Sequence, residues 1–225
     1  MASALRIVDL NGKTINVVKG QEKKEAHFMK VSILFASPRP DGNTAQLLTP
    51  VKEHLKKQGH EINEFSLYRE DIRPCIACRH CQKDWTVFGC IHDDSMQKIF
   101  DTIMSSDLLI LASPVYSWSW TAPMKAALDR LVYGMNKYYG EQWGPSLWEG
   151  KRVALVTTCG YAVEKGTDLL EESLRRYCRH SKLEYMGMLA ARQRSYKEAF
   201  MDEEKWQCAV HFAEKIGSVF NEGCV

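Results

Sequence analysis

The segment Ser37-Pro-Arg-Pro-Asp-Gly-Asn-Thr44 gathers two hydroxyls, an amide, a glycine and a guanidinium into one short loop. It directly follows the apolar run Val31-Ser-Ile-Leu-Phe-Ala36. It leads into Leu47, Leu48, Val51 and Leu55, which share one face at helical spacing. A strand that ends in such a loop and opens a helix aims backbone N–H groups at an anion. The hydroxyls of Ser37 and Thr44 converge there, and Arg39 adds a charged donor. Gly42 and Asn43 also suit a plainer role, the N-cap of a βα turn that binds nothing. The loop lacks the Lys-Ser/Thr ending of nucleoside-triphosphate loops, and the chain contains no G-x-G-x-x-G. Hydroxyls without an obligatory lysine or metal suit a terminal phosphate monoester.

A second constellation is Cys75-Ile-Ala-Cys78-Arg-His-Cys81, followed by Cys90. C-x-x-C-x-x-C with a further cysteine is how thiolates gather round a [4Fe-4S] cube. Four thiolates also suit zinc, and a loop of thiols that binds no metal is the plain alternative. The eight-residue gap between Cys81 and Cys90 contains Trp85 and Phe88, which suggests that these residues pack rather than simply span. His80 and His92 flank the loop and read as exposed histidines. Cys178 and Cys208 fall on expected helices and read as small hydrophobes.

These residues need elements to position them. From Val31 the pattern alternates strand and helix. Strands are expected near 31–36, 61–67, 108–112, 153–157 and 183–189, and helices near 43–58, 93–105, 121–134, 164–180 and 202–220. Alternating units of this kind build a parallel sheet with right-handed crossovers. Leu108-Leu-Ile-Leu-Ala112 has the continuous apolar character of a central parallel strand. Pro50 should kink the first helix or mark an irregular turn. Upstream, residues 4–18 read as a hairpin turning on Asn11-Gly12. Residues 1–29 form this extension and its linker, and 30–225 form the main domain. Residues 133–149, with Tyr138, Tyr139, Trp143 and Trp148, read as an aromatic insertion that covers an active site or a subunit contact.

The 225 residues are 45% hydrophobic and carry a net charge of +2. That supports one sizeable core and gives no reason to expect a nucleic-acid partner. No run of eighteen apolar residues suggests a membrane span, and no secretory signal is apparent. The expected compartment is the cytoplasm, where the eight cysteines are more readily metal, redox or buried thiols than disulfides.

Three motifs in order carry a resemblance over residues 30 to about 190. Ser37-Pro-Arg with Gly42-Asn43-Thr44 resembles the flavin mononucleotide (FMN) phosphate loop of the NAD(P)H-dependent FMN reductase and iron–sulfur flavoprotein family. Ser113-Pro-Val-Tyr116, followed by Ala122-Pro-Met-Lys-Ala-Ala-Leu-Asp-Arg130, resembles its second flavin-contacting segment. Thr157-Thr-Cys-Gly160 resembles its third. The resemblance implies a flavodoxin-like α/β fold, a doubly wound five-stranded parallel sheet with helices on both faces. It implies FMN held by Ser37, Arg39, Gly42, Asn43 and Thr44, by Pro114, Val115, Tyr116, Ser117 and Trp118, and by Thr158, Cys159, Gly160 and Tyr161. Trp118 and Trp120 would line the mouth. The implied reaction takes hydride from NAD(P)H to FMN and passes electrons to a quinone, a flavin or a similar small acceptor. The cysteine loop also resembles the compact motif of iron–sulfur flavoproteins, with a longer last gap. On that reading Cys75, Cys78, Cys81 and Cys90 hold a [4Fe-4S] cluster that exchanges electrons with a ferredoxin-like donor. The resemblance further implies a homodimer or homotetramer.

Overall fold

The computed structural model describes residues 28–195 and 197–218, together with the backbone of two short strands, β1 (Ile7–Val8) and β2 (Thr14–Ile15). These two pair antiparallel, with Ile7 opposite Ile15 and Val8 opposite Thr14. An odd number of residues separates Val8 from Thr14. A two-residue turn at Asn11-Gly12 would place Val8 opposite Ile15, so the register is shifted by one from that expectation. The turn itself lies outside the described residues.

The main sheet holds β3 (Lys30–Phe35), β4 (Glu61–Ser66), β5 (Leu108–Pro114), β6 (Arg152–Cys159) and β7 (Glu184–Arg192). All are parallel, in the order β4-β3-β5-β6-β7. The central strands β3, β5 and β6 are buried almost throughout, because helices cover both faces and their apolar runs leave no polar side. Helices α1 (Asn43–Lys57) and α6 (Glu203–Ser218) pack over Val31, Ile33, Ile110 and Val156. Helices α2 (Met96–Met104), α3 (Ala122–Met135) and α5 (Asp168–Ser181) pack over Leu34, Leu109, Leu111 and Leu155. Each such side chain contributes roughly 1.5–3 kcal/mol on full burial.

Four local expectations are corrected. Helix α1 runs unbroken through Pro50, whose ring is buried. The residue costs the one backbone bond that Gln46 would have accepted. The single helix expected over 164–180 divides into α4 (Val163–Gly166) and α5, because Thr167 leaves helical geometry between them. Helix α2 starts at Met96 rather than 93, because Asp94 turns its carboxylate onto the Met96 N–H at 3.1 Å. Trp148, expected on an aromatic covering loop, is a core residue. It is 2% exposed and donates from Nε1 to Asn136 Oδ1 at 3.0 Å. No helix among the described residues is long and apolar enough to cross a membrane.

Cys178 on α5 is buried, as its reading as a small hydrophobe requires, and burial pushes its thiol up to about 12. Native protein at pH 8 should therefore leave Cys178 unmodified by iodoacetamide while exposed Cys208 reacts. The raised value also sets a sign. The thiol's contribution to stability is fully present below pH 9.0, its ordinary value, and is lost as pH rises through about 12. Mass-spectrometric detection of Cys178 labelling at the Cys208 rate would refute this.

Candidate functional site

The carboxyl ends of β3, β5 and β6 open into one cleft with about 690 Å³ of empty space. The loop after β3 lines it with Ser37, Arg39, Gly42, Asn43 and Thr44. The end of β5 supplies Pro114, Val115 and Tyr116, and the end of β6 supplies Thr158, Cys159 and Gly160. The chain runs from β3 outward to β4 and returns on β3's other side to β5. The cleft therefore sits at the switch point of the strand order, where ligands bind in open α/β sheets.

The N-terminus of α1 faces this cleft without a cap of its own. Gly42 occupies the N-cap position, no side chain bonds to the first-turn N–H groups, and no acid sits in the first turn. Donors and a positive dipole end are left for an anion. Gly42 is required sterically, since a Cβ there would lie 2.9 Å from Arg39 Cβ and 3.2 Å from Arg39 O. The loop is shaped by its own bonds. Gly42 N–H donates to Arg39 O at 3.1 Å, and Ser37 Oγ lies 3.2 Å from Arg39 N. Thr44 Oγ1 lies 2.7 Å from Thr158 Oγ1, both buried, which ties the Ser37–Thr44 loop to the end of β6.

Ser117, Trp118 and Tyr161 lie beside the cleft rather than in its lining. Tyr116 and Ser119 exchange backbone bonds of 3.0 and 2.9 Å around Ser117 and Trp118, which have φ of 50° and 58°. Two non-glycine residues in the left-handed region cost of order 1–3 kcal/mol each and concentrate at functional sites. The turn stacks Trp118 on Tyr161, with centroids 5.5 Å apart and planes 16° apart. Trp118 Nε1 donates to Lys165 O at 3.2 Å. Trp120 points elsewhere, donating to Ser173 Oγ on α5 and packing on the core.

Cys159 is buried, and that burial raises its thiol above the ordinary range. Nearby Arg192 opposes the rise more weakly. Cys159 Sγ donates to Tyr161 O at 3.3 Å and sits against Gly166, where a Cβ would meet Sγ at 2.9 Å. It is a packed neutral thiol.

One residue of the cleft and one beside it carried no sequence signal. Gln193 lines it and accepts from Asn43 Nδ2 at 3.0 Å, while Arg192 Nε donates to Gly160 O at 3.0 Å. Only position could have found them, because Arg192 ends β7 directly opposite Cys159.

Cys75, Cys78, Cys81 and Cys90 together line a second pocket, on the loop between β4 and α2. Ala77 and Arg79, between the first three cysteines, have φ of 53° and 59°. Among the described residues, no group of three or more His, Cys, Asp or Glu is placed to hold a metal ion. The gap after Cys81 is packed. Phe88 is 1% exposed and stacks on Phe100 at 5.0 Å. Phe88 requires Gly134, where a Cβ would lie 2.2 Å from the ring. Gln82 is buried and donates to Tyr133 O and Asn136 O, satisfying carbonyls at the end of α3. His80, expected to be an exposed loop residue, is exposed but places Nδ1 3.1 Å from Gly89 O, bridging the gap. His92 lines the pocket and is only half-exposed.

Comparison with known proteins places this geometry. The family model described as NADPH-dependent FMN reductase matches residues 29–193. The iron–sulfur flavoprotein of Methanosarcina thermophila is 32% identical over 112 residues, covering 49% of this chain and 56% of that protein. An iron–sulfur flavoprotein of Methanocaldococcus jannaschii is 34% identical over 102 residues, covering 45% of this chain and 50% of that protein. The chain thus spans about half the length of these relatives. Among solved structures, the NAD(P)H:quinone oxidoreductase from Methanothermobacter marburgensis superposes with a TM-score of 0.62 at 19% identity, over 88% of this chain and all of that one. A flavodoxin from the domain Archaea gives 0.53 at 13% identity, over 86% of this chain and all of that one. At these identities the likeness is one of fold, which is flavodoxin-like. The family match runs from the start of β3 to the end of β7, across every strand of the main sheet, and the chain belongs to the NADPH-dependent FMN reductase family of oxidoreductases.

Proposed function

We propose that the chain is an FMN-dependent NAD(P)H oxidoreductase that passes electrons to a quinone, flavin or similar small acceptor. The observation that carries this is the uncapped, acid-free N-terminus of α1 opening into a cleft walled by the ends of β5 and β6. Ser37, Arg39 and Thr44 with the first-turn N–H groups would hold the phosphate. Pro114, Val115, Tyr116 and the Thr158–Gly160 segment would wall the ring. Bound FMN supplies the hydride-accepting ring, and the protein supplies position and polarity. No side chain is assigned as an acid or base, and the neutral Cys159 thiol fits a packing role. Trp118 and Tyr161 form the exposed rim where nicotinamide and acceptor would alternate.

A second reading adds a [4Fe-4S] cluster on Cys75, Cys78, Cys81 and Cys90, making the protein an electron carrier as well. It is supported by the four cysteines sharing one pocket and by the left-handed residues that turn the loop around it. Relatives bearing the iron–sulfur flavoprotein name favour it too. Anaerobically purified protein tests both readings. Stoichiometric FMN and NAD(P)H oxidation with a quinone are expected, and protein that neither retains nor binds FMN would overturn the first reading. About four iron and four sulfide per chain supports the cluster, and none of either removes it.

A further inference from the structure

Arg130 closes the segment that resembles a flavin contact, yet it lies outside the flavin cleft and lines the cysteine pocket. It is 2% exposed in the body of α3. Nη1 pairs with Asp94 Oδ2 at 2.5 Å, and that carboxylate is fully buried. Nη1 also lies 3.3 Å from Arg73 O. Nη2 donates to Cys90 Sγ at 3.1 Å, and the guanidinium stands 6.0 Å over the Phe88 ring. Nε has no partner among the described residues. A buried ion pair gains little over well-packed apolar side chains, because two charges must leave water. Stability alone therefore gives weak reason for this pair. The remaining distinctive contact is an N–H group aimed at a cysteine sulfur. Charge and hydrogen bonds at cluster sulfurs are the protein's means of tuning such groups.

We propose that Arg130 is a positioning residue of the cysteine loop. It orients Cys90 through the Nη2–Sγ contact and, with Asp94 as counter-ion, sets how readily the group held by the four cysteines accepts an electron. The inference rests on the cluster reading. The tuned step adds one electron, drawn from reduced flavin, to that group. No bond forms or breaks, and the added negative charge stays there, facing the buried guanidinium. Lysine cannot reproduce the arrangement, because its single ammonium lacks the fork that reaches Asp94 and Cys90 together.

The test is an anaerobic redox titration with dithionite, followed by electron paramagnetic resonance, on wild type, Arg130→Gln and Asp94→Asn. Arg130→Gln keeps an N–H donor and loses the positive charge. It should lower the one-electron reduction equilibrium at least tenfold, or 59 mV. Asp94→Asn removes the negative counter-charge and should shift the equilibrium the opposite way. FMN affinity should stay within twofold of wild type in both. Opposite shifts support the proposal, whereas no shift, or shifts of the same sign, overturn it. If Arg130→Gln takes up no iron, Arg130→Lys decides. Iron restored there at a shifted potential supports the proposal, and iron absent from both, with Asp94→Asn at the wild-type potential, overturns it. Wild type without iron overturns this inference together with the cluster reading. Iron in wild type with unmoved variants overturns this inference alone.

Discussion

Thr44→Ala is expected to weaken FMN binding about ten- to a hundredfold. The hydroxyl is buried, it tops the uncapped first turn of α1, and it lies 2.7 Å from Thr158 Oγ1 across the cleft. A hydrogen bond to a charged group contributes about 1.5–3 kcal/mol, and each 1.4 kcal/mol is tenfold in affinity. Thr44→Ser keeps the hydroxyl and should bind within a few-fold of wild type. That separates loss of the bond from loss of the methyl group. Ser37→Ala should weaken binding less, because Ser37 Oγ is already engaged with Arg39 backbone groups. The two sites share one ligand, so their effects should not add. Fluorescence titration of flavin into apoprotein, with circular dichroism to confirm folding, gives the measurement. Wild-type affinity in both Thr44→Ala and Ser37→Ala would remove the phosphate from this loop.

The sheet was legible because its signal is physical and repeated. Val31–Ala36, Leu108–Ala112 and Val153–Thr157 are apolar on both faces, as strands under two helical layers must be. Loops that needed special chemistry, Ser37–Thr44 and Cys75–Cys90, announced themselves through residue type. What stayed hidden depended on tertiary partners. Gln193 enters the cleft only because β7 pairs beside β6, and glutamine at a strand end has no motif. The division of α4 from α5 falls at Thr167, which leaves helical geometry although no residue type nearby announces a break. Trp148 read as surface because its neighbours are aromatic and polar. Its indole finds Asn136 only once the chain has turned back on α3. Arg130 read as part of a flavin segment because sequence order placed it there, while the helix carries its side chain to the opposite site.

Lys137→Met should destabilise the protein by about 2–4 kcal/mol and disorganise the Cys81–Cys90 gap without weakening FMN binding. Lys137 follows α3 and is fully buried. Its Nζ donates at 2.7 Å to both Cys81 O, just before the gap, and Val87 O, within its second half. Burial holds its ammonium below the usual lysine range, while Cys81 and Asp84 oppose that shift. Methionine fills much of the same volume and supplies no donor. Two part-buried carbonyls then lose a partner, at up to about 1–3 kcal/mol each, and relief from burying a charge offsets part of the loss. The eight residues between Cys81 and Cys90 are too many for a tight ligand turn and too few to fold alone. The lysine, the Phe88 ring on Gly134 and the Gln82 bonds to α3 together turn that stretch into a fixed bridge. The stretch leading into the Ser37–Thr44 loop meets the other end of α3, where Thr121 Oγ1 donates to Ala36 O at 2.9 Å. Damage at Lys137 should therefore spare FMN. Urea unfolding, flavin titration and iron analysis on the one variant separate these effects. Stability within about 0.5 kcal/mol of wild type, the range of ordinary surface substitutions, would show that the bridge does not depend on the lysine.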